Sequence, residues 1–164
     1  MNARQFMAAR TAAWVKAGGG PFPILEDVIW DDKYYWDSSG TYTNSGLTAD
    51  TYGYSAIKQK IKVIPGHSLD TWFGYRNNLT ILNMRKSCIC FFSESGTFIS
   101  SEKVQNISTT PYTHIVPDGA SYAHMAVSIN ELARTGDAEG DKAYCFDETD
   151  GRYLYLGDKL YIWE

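Results

Sequence analysis

The chain has 164 residues, 44% of them hydrophobic and 15% aromatic, and it carries a formal net charge of -4 at pH 7. This length is typical of a single domain that buries its core without disulfides or a structural metal, and the negative charge argues against broad binding to nucleic acid or to an anionic membrane. No apolar run approaches the roughly 20 residues of a membrane span and no signal peptide is recognisable, so the sequence predicts synthesis in the cytoplasm.

Residues 1–20 are predicted to form a separate N-terminal unit. Phe6, Ala9 and Ala13 fall on one stripe of an amphipathic helix over residues 2–17, and a run of three glycines ends that helix. Two interpretations stay open. The helix packs on its own domain, or it serves as an anchor or oligomerisation segment that bundles with copies of itself.

After the glycine run, residues 21–164 are predicted to form one domain of short strands and turns. Residues 24–30 are extended and apolar, and an aromatic strand at 34–36 follows a polar turn at 31–33. Residues 41–50 are polar and contain glycine, which predicts a loop.

A long strand is predicted over residues 52–64, with apolar side chains on one face and lysines on the other. The apolar residues are Ile57, Ile61 and Val63, and the lysines are Lys58, Lys60 and Lys62. The Pro65-Gly66 pair closes this strand, and residues 69–76 are predicted to form a strand at a sheet edge.

The centre of the domain is predicted to be a hairpin at Lys86 to Ser100. Its first strand is apolar on both alternating faces, which is typical of a strand covered on both sides. Cys88, Cys90 and Phe92 lie on one face, and Ile89 and Phe91 lie on the other. Glu94 to Gly96 supplies the turn, and residues 102–110 are predicted to be a crossing loop.

The last third of the chain continues the β pattern. A strand at 112–116 leads through a turn at 117–120 into a strand at 121–130, in which Ala123 and Met125 face the core while Tyr122 and His124 face the other way. A short strand at 143–146 and a C-terminal hairpin at 152–163, with Gly157-Asp158 at its tip, complete the domain. The fold class is therefore all-β, an antiparallel β-sandwich with a short N-terminal helix and a C-terminal β-hairpin.

The three cysteines are Cys88, Cys90 and Cys145. Cys88 and Cys90 share a strand face and cannot pair with each other without distortion. An odd count without framework spacing predicts buried thiols, with one bridge from Cys145 to Cys88 or Cys90 as the alternative.

Three sequence blocks occur in order: IKVIPG from Ile61 to Gly66, CFFSESGTFIS from Cys90 to Ser100, and VPDGASY from Val116 to Tyr122. The series, which covers about half of the chain, resembles the jelly-roll, carbohydrate-binding-module-like domains of bacteriophage tail, baseplate and fibre proteins. Such domains often carry an arginine after the last tyrosine, where this chain has His124.

The resemblance implies a non-enzymatic binding module of a phage-like virion appendage (tail, baseplate or head fibre), or a surface adhesin, that recognises host-surface carbohydrate. It implies a location in the virion or on an extracellular surface. It also implies a homo-oligomer, with a trimer favoured, and contact with other virion proteins through the N-terminal helix. The alternative is a purely structural virion or assembly protein whose sandwich mediates protein–protein contacts.

Catalytic signatures are missing from the sequence. It contains neither a nucleophile elbow nor a His-Glu-x-x-His motif nor a phosphate-binding glycine loop, and its paired carboxylates lie in turns. His67 stands alone, His114 and His124 flank the 117–120 turn, and the acidic run at 147–151 lacks the full ligand pattern of a calcium loop. We therefore predict no catalytic residue, no metal ligand and no cofactor.

The stronger constellation is aromatic, because sugars are recognised by flat rings together with a few polar groups that fix the hydroxyls. The candidate carbohydrate-binding residues are Trp36, Tyr54, Asp70, Trp72, Tyr75, Arg76, Tyr122 and His124. Packing of the same rings in the core or at sheet edges is the competing interpretation.

Overall fold

A computed structural model of the chain describes residues 24–45, 54–72, 87–103, 111–128 and 143–162. The described part is all-β, and its paired strands are antiparallel. The predicted helix over residues 2–17 lies outside the described residues. The described strands, in chain order, are β1 (Ile24–Asp27), β2 (Trp30–Asp32), β3 (Tyr35–Trp36), β4 (Tyr42–Thr43), β5 (Tyr54–Ile57), β6 (Ile61–Lys62), β7 (Ser68–Trp72), β8 (Ser87–Phe92), β9 (Phe98–Lys103), β10 (Tyr112–Ile115), β11 (Tyr122–Ser128), β12 (Tyr144–Asp147), β13 (Arg152–Leu156) and β14 (Lys159–Ile162).

These strands form two sheets. The first has the order β1-β14-β13-β12-β7-β10, and the second has the order β2-β5-β11-β8-β3-β4. In the second sheet β6 also pairs with β11, and β9 pairs with β8. Strands from both ends of the described chain therefore meet in the first sheet, where β1 pairs with β14.

One hydrophobic core is shared by the two sheets. Leu69, Leu154 and Leu160 enter it from the first sheet, and Ile89 and Met125 enter it from the second. The rings of Trp30 and Tyr155, one from each sheet, meet edge to face at 6.2 Å. Each fully buried apolar side chain of this core stabilises the fold by about 1.5–3 kcal/mol relative to the same side chain in water. Two antiparallel sheets around one core are consistent with a β-sandwich.

The central hairpin is confirmed by β8 and β9. Ile89 and Phe91 are buried in the shared core, while Cys90 and Phe92 are buried on the opposite face of the same strand. The return strand is longer than predicted, because β9 continues to Lys103 where a loop was expected. Its extension brings the carboxylate of Glu102 to the buried His114, so the polar side chain at this strand position has a hydrogen-bonding partner.

The predicted strand at 52–64 is interrupted. It consists of β5 and β6, which both pair with β11, with residues 58–60 between them outside the ladder. The amide of Gln59 explains the break, because its Oε1 accepts from the Ile29 amide at 2.7 Å and its Nε2 donates to the Asp27 carbonyl at 2.7 Å. The predicted alternation is nevertheless confirmed, since the three apolar residues are buried and the three lysines are exposed.

Two predicted loops contain strand residues. Asp31 and Asp32, expected in a turn, belong to β2 and lie opposite Ala56 and Ser55 of β5. The Asp32 carboxylate accepts from the Ser55 hydroxyl at 2.6 Å, which places a polar side chain in this strand. Similarly, residues 42–43 of the expected 41–50 loop form β4 beside β3.

The predicted edge position of β7 is wrong. This strand lies between β12 and β10, and it alternates buried Leu69 and Thr71 with half-buried neighbours. Pairing on both sides arises from segments far away in sequence, which local periodicity does not show.

The C-terminal hairpin is confirmed as β13 and β14, which extend the first sheet. Cys145 and Cys90 are both buried and neither is in a disulfide, so the alternative bridge from Cys145 is not formed. The side chain of Cys88 is not described.

Candidate functional site

An aromatic face covers the outer side of the second sheet. Because side chains alternate along a strand, Tyr122 and His124 of β11 point away from the core that Ala123 and Met125 enter. Rings from β3, β4, β8 and β9 join them there. We call this group the aromatic row, and it consists of Tyr34, Tyr42, Trp36, His124, Tyr122, Phe92 and Phe98.

The rings of the row touch one another in sequence. Tyr34 stacks on Tyr42 with centroids 4.8 Å apart, and Tyr42 meets Trp36 at 5.2 Å. Trp36 lies flat on His124 at 4.2 Å with only 9° between the planes. Such contacts contribute about 0.5–1.5 kcal/mol each beyond burial, so the row is a rigid surface.

The far end of the row is equally ordered. His124 meets Tyr122 edge to face, Tyr122 stacks on Phe92 at 5.3 Å, and Phe92 meets Phe98 at 5.8 Å. Phe92 and His124 are buried, while the other rings are half-buried. The row therefore combines a buried base with rings that are partly exposed at the surface.

Charged groups border the row on one side. Lys58 Nζ lies 2.7 Å from Asp31 Oδ2 and 5.6 Å from the centre of the Tyr42 ring. Hydrogen bonds from Lys58 and from the Tyr42 hydroxyl lower the pKa of Asp31, so this carboxylate is ionised. Burial, followed by the hydrogen bond to Asp31, raises the pKa of Tyr42, so its hydroxyl stays protonated.

A second lysine lies over the row itself. Lys60 Nζ is 4.3 Å from the centre of the Tyr122 ring, within the range of a cation–π contact. With Phe92 stacked on the ring as well, Tyr122 is held by two neighbours. Its hydroxyl points toward Gly96 in the β8–β9 turn, where an added Cβ would lie 3.5 Å away.

His124, like Tyr42, has a strongly shifted pKa. Burial lowers its pKa from 6.5 to about 4, and the nearby charge of Lys60 acts in the same direction. Nδ1 lies 3.1 Å from the Gln59 carbonyl, so the neutral ring donates from this nitrogen. His124 is therefore a neutral, stacked ring at pH 7 and not a surface cation.

The β3–β4 loop closes one end of the row. The Asp37 carboxylate accepts from the amides of Ser39 and Thr41 at 2.8 and 2.9 Å, which fixes the loop. Gly40 has φ +75°, and a Cβ on it would lie 2.9 Å from Phe98 Cγ and 3.0 Å from Phe92 Cζ. Only glycine allows the backbone to approach the two rings this closely.

The structure brings together three of the predicted site residues, Trp36, Tyr122 and His124. Asp70 and Trp72 lie elsewhere, on the outer face of the first sheet. Asp70 accepts from the Thr113 hydroxyl at 2.7 Å, and Trp72 packs on the buried cluster of Tyr144, Phe146 and Tyr153. Tyr54 belongs to β5, but its side chain is not described, and Tyr75 and Arg76 lie outside the described residues.

The predicted set of candidate residues does not include several members of this face. These are Asp31, Tyr34, Tyr42, Lys58, Lys60, Phe92 and Phe98. Tyr42 was assigned to a loop, although the turn residues Asp37 to Gly40 between two aromatic segments are a usable hairpin signal. Phe92 was recognised as a strand residue, but the partner of its outer face was not identifiable from periodicity.

The two histidines that flank the 117–120 turn are separated by the fold. His114 belongs to β10 of the first sheet, and His124 belongs to β11 of the second. His114 is buried, and its Nδ1 and Nε2 lie 2.5 Å from Glu102 Oε2 and 2.8 Å from Thr71 Oγ1. It therefore links β9 to the first sheet and takes no part in the aromatic face.

Comparison with known proteins found no matching family model, curated protein or solved structure. Among the described residues, no helix has the length and apolar character needed to cross a membrane.

Proposed function

We propose that the protein is a non-enzymatic binding module that recognises carbohydrate through the outer face of its second sheet. The observation that carries this proposal is the aromatic row with its border of Asp31, Lys58 and Lys60. Flat rings stack on the apolar faces of pyranoses, and adjacent charged or polar groups take the hydroxyls.

The rigidity of the row supports binding without chemistry. The rings hold one another through stacked and edge-to-face contacts, and the loop of Asp37 is fixed by its own carboxylate. A surface ordered before the ligand arrives loses little conformational entropy on binding. The three-residue break at 58–60 also contributes, because it places Lys58 and Lys60 against the rings.

The finer fold assignment, a jelly roll of the carbohydrate-binding-module type, belongs to this proposal. The three sequence blocks that suggested it lie close together in the fold. They cover β6 with its Pro-Gly turn, the β8–β9 hairpin, and the turn into β11. The blocks contain Phe92, Phe98 and Tyr122 of the aromatic row, so the resemblance and the candidate site overlap at these three residues.

The proposed setting is a phage-like virion appendage (tail, baseplate or head fibre) or a surface adhesin that attaches to host-surface glycan. A homo-oligomer, with a trimer favoured, compensates for weak binding of single sugars by avidity. In this proposal residues 1–20 connect the module to its copies or to other virion proteins.

The alternative is a purely structural protein whose outer surface contacts other proteins. It predicts that the exposed rings form one broad apolar patch and not a groove with polar partners. Among the described residues the large exposed apolar side chains are Leu25, Ile29 and Ile115. Leu25 and Ile115 lie on β1 and β10, at opposite edges of the first sheet, so these residues do not form such a patch. The rings of the aromatic row are bordered by the charged side chains of Asp31, Lys58 and Lys60, and this border favours the carbohydrate proposal.

The decisive experiment is a glycan-array screen of the purified full-length chain and of Trp36→Ala. We expect the wild-type protein to bind a defined glycan and the variant to bind it at least about tenfold more weakly, since loss of one stacked ring costs about 1.4 kcal/mol or more. Affinity for the glycan found is then measured by isothermal titration calorimetry.

Trp72→Ala is the matched control, because Trp72 is also a half-buried tryptophan but lies on the other sheet. It should retain wild-type affinity, and circular dichroism of both variants checks that they are folded. Equal losses of affinity in the two variants, or no glycan bound by a well-folded wild-type protein, would count against the proposal and favour the structural alternative.

A further inference from the structure

A second group of ionisable side chains lies far from the aromatic row, where the loop before β7 meets the turn between β12 and β13. His67 precedes β7, Asp147 ends β12, and Asp150 lies in the turn. His67 Nδ1 is 2.8 Å from Asp147 Oδ2 and 4.0 Å from Asp150 Oδ2. One nitrogen and two carboxylate oxygens, one from each residue, lie within 4.8 Å of one another.

The backbone around these groups is fixed. The Gly151 amide donates to the Asp147 carbonyl at 2.8 Å, and the Glu148 amide donates to the Ser68 carbonyl at 2.8 Å. The Ser68 amide also donates to the Thr149 hydroxyl at 3.0 Å, which joins the turn to the start of β7. The three candidate ligands are thus positioned by the pairing of β7 with β12, although 80 residues separate His67 from Asp147.

The hydrogen bonds leave ligand positions available on both carboxylates. Asp147 Oδ1 accepts from the amides of Thr149 and Asp150 at 2.9 and 3.0 Å, so Oδ2 is the oxygen that faces His67. Asp150 Oδ2 accepts from Arg152 Nη2 at 2.9 Å. A carboxylate oxygen has two lone pairs and can accept this hydrogen bond while it binds an ion, and metal-binding carboxylates are commonly hydrogen-bonded in this way.

The charge of the group also suits a cation. Two carboxylates and one buried guanidinium give a net charge of about -1 while His67 is neutral, so the site attracts a divalent ion and neutralises about half of its charge. Asp147 is 1% exposed, whereas the side chains of His67 and Asp150 are 18% and 30% exposed. An ion would therefore rest on a buried carboxylate and remain open to solvent on its other side.

We propose that His67, Asp147 and Asp150 form a binding site for a divalent transition-metal ion of the zinc type. Zinc binds nitrogen and oxygen ligands at about 2.0–2.2 Å, which places the ligands of a tetrahedral site about 3.4 Å apart, between the two distances from His67 seen here. The imidazole nitrogen disfavours calcium and magnesium, which take oxygen ligands. Water completes the open coordination position.

Calorimetric titration of the untagged full-length chain with ZnCl2 tests the site. We expect one ion per chain with a dissociation constant in the micromolar range, and an increase of several degrees in Tm with zinc present. His67→Gln and Asp150→Asn should each weaken zinc binding by at least about tenfold. Asp150 is the most exposed of the three ligands, and asparagine at this position keeps an oxygen that can accept from Arg152.

Asp158→Asn is the matched control, since Asp158 is an exposed turn carboxylate at the tip of the β13–β14 hairpin. It should bind zinc as the wild-type chain does. Three results would overturn the proposal. The first is no binding at 1 mM zinc, since a dissociation constant of roughly 1 mM is about the weakest that indicates a specific site. The second is unchanged zinc binding in both ligand variants, and the third is calcium binding that is as tight as zinc binding and is unaffected by His67→Gln.

Discussion

His124 shows how a residue on the outer face of a sheet becomes part of a buried cluster. Its ring lies under Trp36, and burial lowers its pKa to about 4. Because the pKa is lower in the folded chain than in the unfolded chain, proton binding favours unfolding. The stability that the neutral ring contributes is therefore fully present above pH 6.5 and is lost as the pH falls towards 4.

We expect protonation of His124 to lower the free energy of unfolding by about 3 kcal/mol as the pH falls from 7 to 4. This value follows from the difference between the pKa of His124 in the unfolded chain, 6.5, and in the folded chain, about 4. Urea unfolding at several pH values measures the loss. The His124→Phe variant keeps a flat ring beside Trp36, but that ring does not titrate. All other titrating groups are the same in both proteins, so the difference between their pH curves reports on His124. The variant should lose clearly less stability over the same pH range, and parallel pH curves would contradict the assignment.

The predictable part of the aromatic row is set by alternation along single strands. The period of two placed Tyr122 and His124 on one face and Met125 on the other, as the structure has them. The partners of that face come from remote segments, because Trp36 reaches His124 across 88 positions of sequence. No local pattern encodes such a contact, so the sequence identifies Trp36 and His124 as candidates without predicting that they meet.

At the scale of elements, the β3–β4 loop depends on Gly40. Alanine at this position would combine a left-handed backbone with contacts of 3.0 Å or less to Phe92 and Phe98. The backbone conformation alone costs about 1–2 kcal/mol, and overpacking adds about 1–3 kcal/mol. We expect Gly40→Ala to destabilise the protein by about 2–5 kcal/mol in urea unfolding.

Gly66 provides the control for this substitution. It has a similar φ of +80°, but nothing lies within 4 Å of an added Cβ. Gly66→Ala should therefore cost only the backbone term of about 1–2 kcal/mol. The excess loss in Gly40→Ala measures how tightly the loop covers the rings, and identical losses would show that the loop relaxes away from them.

Turns and hairpins were predictable from sequence, while strand order was not. Glu94 to Gly96 and Gly157-Asp158 are turns that the local chemistry identified, and both hairpins are present. The interior position of β7 and the break at Gln59 depend on pairing and hydrogen bonding with distant segments. Tertiary contacts determine these features, because they outweigh the intrinsic strand propensity of a residue.

At the scale of the whole molecule, the two ends of the described chain are joined in one sheet. β1 pairs with β14 along four residues, and Lys159 forms an ion pair with Asp27 across that pair. Hydrophobic periodicity predicted an all-β chain, yet it carried no information about which sheet would join the two ends of the described chain. Strand β1 lies at the edge of the first sheet, whereas the aromatic row belongs to the second.

This separation bears on the proposed oligomer. If residues 1–20 bundle with their copies, the aromatic faces of several modules remain available to one glycan-bearing surface. We expect deletion of residues 1–20 to lower the mass measured by light scattering to that of a monomer. Binding to a dense glycan surface should then fall by roughly 10²–10⁴-fold, because avidity is lost.

The same deletion should leave the affinity for a soluble monovalent sugar unchanged, because each aromatic row is complete within one chain. Calorimetry with the soluble sugar and surface binding with the immobilised glycan separate the two effects. An unchanged mass would show that the N-terminal segment packs on its own domain. A reduced mass with unchanged surface binding would mean that one module suffices for attachment. Avidity would then not be the function of the oligomer.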